Sequence, residues 1–348
     1  MVDYLIVGSG LAGIAFAETL LQNQKSFLVI DAPLTNSSRV SGGLYNPVVL
    51  KRFTVVWEAE AQLEMLTPFY TSIEQRLGVQ LDFKLPVLRK FTSVEEQNNW
   101  FVAADKPILS NYLSTSIHNA DYTGLDSPFH FGEVLQTGYV DVAHLVERYQ
   151  HYLIQHNYFL HKEFIHADLQ IKSHSISYQG IEAQHLVFAE GFAMHANPWF
   201  NQLPLDGVKG ELLLILAPDL QLDKIINSAV FILPLGDGLF KVGATYNWSD
   251  KTATPTEDGK TELVLKLKEV LQCDFKVVDH FAGIRPTVKD RKPLLGTHET
   301  ESRLHLLNGL GTRGVLLGPY LAKLLFNHIE YASPLPKEID LRRYTKKK

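Results

Sequence analysis

The hydrophobic positions at the start of the chain fall into three blocks. Residues 4–7 form a short unbroken apolar run, the pattern of a strand buried on both faces. Residues 11–21 are rich in Ala and Leu at helical spacing. Residues 27–30 form a second apolar run that ends at Asp31. Gly8, Gly10 and Gly13 stand between the first run and the helix as G-x-G-x-x-G. A strand, a glycine turn, a helix and a second strand closed by an acid make up a dinucleotide-binding unit. The first glycine permits the turn, the second lets the backbone approach a pyrophosphate, and the third lets the helix pack on the strand. The pyrophosphate then sits at the helix N-terminus, where free N–H groups favour negative charge. Asp31 can accept from a ribose diol and would repel a 2′-phosphate, which disfavours NADP. The motif alone does not separate FAD from NAD.

Further along, the pattern alternates between periods. Residues 57–77 read as a helix, kinked at Pro68, and residues 81–91 as a strand. Ser93 and Glu96 form a capping box that predicts a helix over 94–104. Asp141 is the N-cap of another helix. Strands are expected over 158–165, 169–171, 175–178 and 182–188. From 208 to 246 the chain reads as all β, with turn chemistry at Gly236, Asp237 and Gly238. A helix is expected over 262–272 and strand and turn over 275–295. A strand, a glycine turn and a long apolar helix follow. There is no repeat and no clean linker, which predicts two interleaved domains rather than two in series.

Composition narrows the class. The chain has 348 residues, with 33 Lys+Arg against 38 Asp+Glu and a formal net charge of −5. No basic domain marks it as a general nucleic-acid binder. The one basic run, at Arg342, Arg343 and residues 346–348, reads as a solvated tail. The single cysteine, Cys273, allows no intrachain disulfide. The N-terminus lacks the pattern of a signal peptide, and no apolar stretch reaches 18 residues, so no membrane span is expected. A cytoplasmic protein is the default, and a homo-oligomer is compatible with it. His151, His156, His161 and His166 recur every five residues but run from a helix into a strand. They share no face and read as surface or packing groups, with no metal site.

Gly309, Gly311 and Gly314 repeat the spacing of the first motif. No buried strand ending in an acid follows their helix, so the crossover is not completed and a second nucleotide is not expected. The helix N-terminus remains an anion site. Lys209 reads as a solvated strand-edge charge. Arg285, in "HFAGIRPTVKDRKPLLG", interrupts a strand pattern. It is either a working group aimed into a pocket or one half of an ion pair with an acid such as Asp290 or Glu211.

Taken in order, "IVGSGLAG", "SRVSGGLYNP", "GYVDVAHLV", "LVFAEGF", "VKGELLLI", "DGLFKVGATY", "AGIRPTVKDRKPLLG" and "GLGTRGVLLGPYLAKLL" resemble the D-amino-acid oxidase superfamily of FAD enzymes. The nearest branches are glycine and sarcosine oxidases and the FAD domain of the bifunctional tRNA 5-methylaminomethyl-2-thiouridine enzyme. The resemblance spans most of the chain, but residues 60–130 match nothing in it. It implies a mixed α/β (α+β) fold, in which a Rossmann-type FAD-binding domain (1–50, 138–206 and 276–345) is interleaved with a predominantly antiparallel β substrate domain (51–137 and 207–275).

The resemblance also implies site roles. Gly8, Gly10, Leu11, Ala12 and Gly13 would meet the pyrophosphate of FAD, and Asp31 and Ala32 its adenosine ribose. Arg39, Ser41, Gly42 and Leu44 would lie by the phosphates and flavin. Ile165 would flank the adenine, and Ala189 and Gly191 would complete the nucleotide site. Glu190 departs from the Ala or Thr common there. Gly311, Thr312, Arg313 and Gly314 would cap the pyrimidine edge of the flavin. Cys273 lies well before the motif that carries a covalent attachment in some relatives, so FAD is expected to be non-covalent.

The implied reaction removes a hydride from a C–H beside an amine in a small amine or amino acid. Flavin N5 accepts it, and the imine hydrolyses. Arg285 matches the arginine that holds the substrate carboxylate. Arg313 would touch flavin or substrate. Tyr246 and Tyr45 would either hydrogen-bond the substrate or pack in the core. Two alternatives remain: an oxidase of the tRNA-modification type, and a flavin-binding protein that does not turn over.

Overall fold

A computed structural model describes residues 1–32 and 37–344. Residues 33–36, and residues 345–348 with the end of the basic tail, lie outside the described residues. The predicted nucleotide unit forms as read. Strand Val2–Val7 pairs in parallel with Phe27–Asp31 on one side and Ile181–Phe188 on the other. Phe159–His161 and Leu304–Asn308 extend the parallel part, and short antiparallel strands finish this eight-stranded sheet. Tyr4, Leu5 and Ile6 are completely buried, as a strand covered on both faces requires.

The helices Leu11–Gln22, Ala59–Leu77, Val142–Gln155 and Gly314–Tyr331 share one hydrophobic core. Glu18 lies wholly buried among the first three of them. Its carboxylate accepts from Arg76 twice at 3.1 Å, from Ser72 at 2.9 Å and from Tyr149 at 3.0 Å. A buried charge is tolerable only when paired in this way.

The second eight-stranded sheet is antiparallel except for one pair. It runs in the order Lys276–Val288, Leu205–Leu216, Leu239–Gly243, Phe231–Gly236, Ile225–Asn227, Val87–Lys90, Phe131–Val134 and Leu113–His118. Residues 60–130, which the resemblance leaves unmatched, therefore supply two strands of this sheet and the helices Ala59–Leu77 and Val94–Ala104. The strand Lys276–Val288 pairs along its length with Leu205–Leu216, so the expected boundary at 276 falls at the start of a strand of this sheet.

Several local expectations shift. The helix through Pro68 is continuous over Ala59–Leu77. The strand expected over 158–165 shortens to Phe159–His161. The helix expected over 262–272 spans Glu257–Lys268, because Thr256 caps it by accepting from the Gly259 N–H. Ser93 does cap its helix, accepting from the Glu96 N–H at 3.1 Å. The reciprocal half of the box is replaced: the Glu96 carboxylate accepts from Thr92 and Arg89. Asp141 accepts from the His144 N–H, as its N-cap position predicts.

Candidate functional site

A continuous cavity of about 1270 Å³ runs between the two sheets. One end lies at the glycine turn and Asp31, and the other is walled by Tyr246, Arg285 and Arg313. Of the residues expected in the site, all but Gly13, Arg39, Tyr45 and Ile165 line it.

Those four have other places. Gly13 lies beneath the turn, where a Cβ would stand 1.9 Å from the Gly8 carbonyl oxygen. That contact is the close helix-to-strand packing the third glycine serves. The Arg39 Nη2 donates to Gln150 Oε1 at 2.5 Å. Ile165 is 42% exposed and turns from the cavity, whereas its neighbours Phe164 and His166 line it. Tyr45 is buried and donates to Asp82 Oδ1 at 2.9 Å. Burial and then Asp82 push its phenol well above the ordinary range. Of the two readings open for Tyr45, core packing is the one observed.

At the nucleotide end, Asp31 Oδ2 accepts from the Ser9 N–H at 2.8 Å and from Ser9 Oγ at 2.5 Å. This ties the glycine turn to the end of the second strand. The helix that begins at Leu11 has Gly10 as N-cap, which offers no capping side chain; Ser38 Oγ accepts from the Leu11 N–H at 3.1 Å, and the positive end of the helix dipole faces the cavity. Ser41 Oγ lines the cavity, is buried and has no hydrogen-bond partner among the described residues. An orphan hydroxyl there suits a polar ligand. The arrangement of turn, helix end, acid and orphan hydroxyl fits a dinucleotide.

Glu190, the departure from the expected pattern, is held by two neighbours. His166 Nε2 lies 2.8 Å from its Oε1, and Asn197 Nδ2 donates to its Oε2 at 2.7 Å. His166 stacks on Phe188 and faces the cavity. The histidine repeat therefore hid one site-facing member, and its five-residue spacing carried no signal of that. Among the described residues no group of acids, histidines or cysteine can hold a metal.

The second glycine turn sits beside the first. The Gly311 N–H donates to the Pro286 carbonyl at 2.9 Å, and Asn308 Nδ2 donates to the Gly191 carbonyl at 2.9 Å. Arg313 is the N-cap of the helix Gly314–Tyr331. Its side chain is half-buried and makes no salt bridge among the described residues. Burial lowers its pKa.

Arg285 stands opposite Val208 on the long antiparallel pair. Its Nη1 donates to the Thr245 carbonyl at 3.2 Å, and its Cζ lies 4.6 Å from the centroid of the Tyr246 ring. Neither acid named as an alternative partner reaches it. Asp290 accepts from Arg343 at 3.1 Å and Tyr344 at 2.6 Å. Glu211 accepts from Thr256 and lies 2.8 Å from His280 Nε2. No carboxylate pairs with Arg285 among the described residues, and burial lowers its pKa. A half-buried cation without a counter-charge in a cavity wall is arranged for an anion.

Two further groups correct the sequence reading. Lys209 is not a solvated edge charge: its side chain is completely buried. Lys241, which the alternating strand pattern did not single out, donates to the Ser41 carbonyl at 3.3 Å, and burial lowers its pKa. Cys273 does not line the main cavity. It borders a small separate one with Lys268 and Leu271, and burial raises its thiol pKa. No helix among the described residues is long and apolar enough to cross a membrane.

The model of a family described as DAO, FAD dependent oxidoreductase, matches residues 3–327. The glycine oxidase of Bacillus subtilis (strain 168) is 33% identical over 180 residues, 50% of this chain and 47% of that protein. The tRNA 5-methylaminomethyl-2-thiouridine biosynthesis bifunctional protein of Marinobacter nauticus is 28% identical over 142 residues, 38% of this chain and 22% of that protein. The chain thus spans about half the length, or less, of the curated relatives it matches. Among solved structures, glycine oxidase from Bacillus cereus ATCC 14579 superposes with a TM-score of 0.76 at 17% identity, covering 96% of each chain. Iminodiacetate oxidase from Chelativorans sp. BNC1 gives 0.77 at 16% identity, covering 99% of this chain and 98% of that one. At these identities the structural likeness establishes the fold.

Proposed function

The chain belongs to the DAO family of FAD-dependent oxidoreductases, and on that premise we propose that it oxidises the C–N bond of a small amino acid or related amine. The observation that carries this reading is Arg285, a half-buried guanidinium with no carboxylate partner among the described residues, facing the cavity beside Tyr246. Its planar fork pairs with both oxygens of a carboxylate. The bond to the Thr245 carbonyl restrains its orientation. Arg313, at the start of a helix, adds positive potential at the same end.

Bound there, FAD would supply the electron acceptor for hydride removal from the carbon beside the amine. The glycine turn, Asp31, Ala32, Ser41, Gly42 and Leu44 are the residues that would hold it. With Cys273 outside the cavity lining, we assign non-covalent attachment. We likewise keep the division into a FAD-binding and a substrate domain, the strand Lys276–Val288 going with the latter sheet by its pairing. The chain's own residues then have two tasks, to hold the carboxylate and to keep the amine-bearing carbon oriented.

The test is anaerobic. The purified yellow protein is mixed with glycine, sarcosine, proline and a panel of D-amino acids, and flavin absorbance is followed. Bleaching by one of these is the expected result. Reduction by dithionite but by none of the amines would overturn the reading.

A further inference from the structure

Thirteen residues, 244–256, join the strand Leu239–Gly243 to the helix Glu257–Lys268 without regular structure. A loop of this length inside a compact fold is commonly functional. Its inner side supplies Ala244, Tyr246 and Ala253 to the substrate end of the cavity. Its outer side is fastened to the strand Leu205–Leu216 by charged groups, and the principal one is fully buried.

Lys209 has a side chain with no exposure. An ammonium has three N–H donors, and all three go to this segment. They reach Asp250 Oδ2 at 2.5 Å, Thr252 Oγ1 at 3.3 Å and the Thr254 carbonyl. Glu211 Oε1, 3.5 Å away, adds a second countercharge. The Lys209 N–H donates to the Asn247 carbonyl at 2.9 Å, and the Asn247 N–H donates back at 3.0 Å. Two residues on, Glu211 accepts from Thr256 N and Oγ1 at the far end of the segment. Its own N–H donates to Thr245 Oγ1 at 2.9 Å. Lys251 pins the middle to Asp206 at 2.6 Å and to the Gly207 carbonyl. The Lys209 bond also holds the Asp250 carboxyl down to about 2, so this clamp persists across the neutral and mildly acid range.

Burying a lysine is costly unless its charge is fully met. Here the meeting groups are spent on the strap that carries the substrate wall, and Thr245 and Tyr246 of that strap are the groups that touch Arg285. We propose that Lys209 is a positioning residue for substrate recognition: by anchoring the strap it sets where Thr245 and Tyr246 hold Arg285, without touching substrate itself. This rests on the reading that Arg285 takes a carboxylate.

The experiment titrates the FAD-loaded protein with acetate and with glycolate, following perturbation of the flavin spectrum. It compares wild type with Lys209→Met, Asp250→Asn and Arg285→Met. Carboxylate affinity should fall roughly tenfold or more in Lys209→Met and Asp250→Asn, with FAD content unchanged. With an amine that bleaches the flavin, KM should rise more than kcat falls. Proteolysis within 247–256 should quicken. Asp250→Asn decides alone if Lys209→Met does not fold. Loss of affinity in Arg285→Met with none in Lys209→Met or Asp250→Asn overturns this proposal and leaves the proposed function standing. Unchanged affinity in Arg285→Met overturns the carboxylate role of Arg285, and the proposal falls with it.

Discussion

Arg285 lies across the backbone of Gly210. A Cβ at position 210 would stand 1.9 Å from Arg285 Nη2 and 2.1 Å from its Cζ. The two strands are in register two residues away, with Gly210 opposite Gly283 and Val208 opposite Arg285. The side chain therefore leans over the neighbouring strand into space that only glycine leaves open. What a methyl would strike is the far end of a flexible side chain, which can move.

Gly210→Ala should accordingly leave the fold and FAD content near wild type while displacing the guanidinium. The expected result is a raised KM for any amine substrate carrying a carboxylate, with a melting temperature within a few degrees of wild type. An unchanged KM would show that Arg285 can move aside at no cost to recognition, and a large loss of stability would show that it cannot move aside freely.

Arg285→Lys tests the same group from the other side. It keeps the positive charge and removes the planar fork. A charge-assisted hydrogen bond is worth about 1.5–3 kcal/mol, so KM should rise roughly 10- to 100-fold. Steady-state kinetics beside a flavin-to-protein absorbance ratio checks both halves of the expectation. Equal kinetics would remove Arg285 from the substrate site.

Gly13→Ala addresses the nucleotide end. The nearest atom to its added methyl is backbone, the Gly8 carbonyl oxygen at 1.9 Å, so the helix must shift away from the turn. Overpacking of this kind costs about 1–3 kcal/mol. The variant should melt lower and purify with less FAD. A variant that retains full FAD and an unchanged melting temperature would contradict this packing.

Stability should fall with acid through a histidine pair. His305 is wholly buried, with Nε2 3.1 Å from His185 Nδ1 and Nδ1 2.9 Å from Thr297 Oγ1. Burial first, then His185 and His328, hold its pKa well below the ordinary 6.5. Burial and Arg303 lower that of His185, which Glu330 and Asp3 partly offset. In this range the unfolded chain binds more protons than the folded one. The contribution is therefore complete above the ordinary histidine pKa and is lost as pH falls through the folded values. Melting temperatures from pH 8 to 5 should drop below about 6.5, and His305→Gln should flatten the drop. An equal slope in that variant would place the acid sensitivity elsewhere.

The nucleotide unit could be read from residues 3–31 because its signals are local. Two apolar runs, three glycines and one acid lie within about thirty residues and constrain one another through short-range sterics and the helix dipole. The same holds for the caps at Ser93 and Asp141. Arg285 could be singled out because a charge interrupts a strand pattern. In residues 60–130 the helices and the strand near 87–90 could be read locally, but not their place, because Val87–Lys90 pairs with Ile225–Asn227, far along the chain.

Burial and partnership belonged to the tertiary structure. Lys209 reads from the sequence as a solvated edge charge and Tyr45 as either a substrate contact or a packing group, and both are core groups in the structure. Long-range pairing put Lys209 under the 244–256 segment and Tyr45 against Asp82. His166 went the other way, from a presumed packing group to the cavity wall beside Glu190. By itself the sequence determined the dinucleotide turn and the family pattern, because steric and dipolar rules act over a few residues. Only the packed sheets decided that Arg285 has no carboxylate partner among the described residues. Which acids come near a charge depends on contacts between strands that no local pattern encodes.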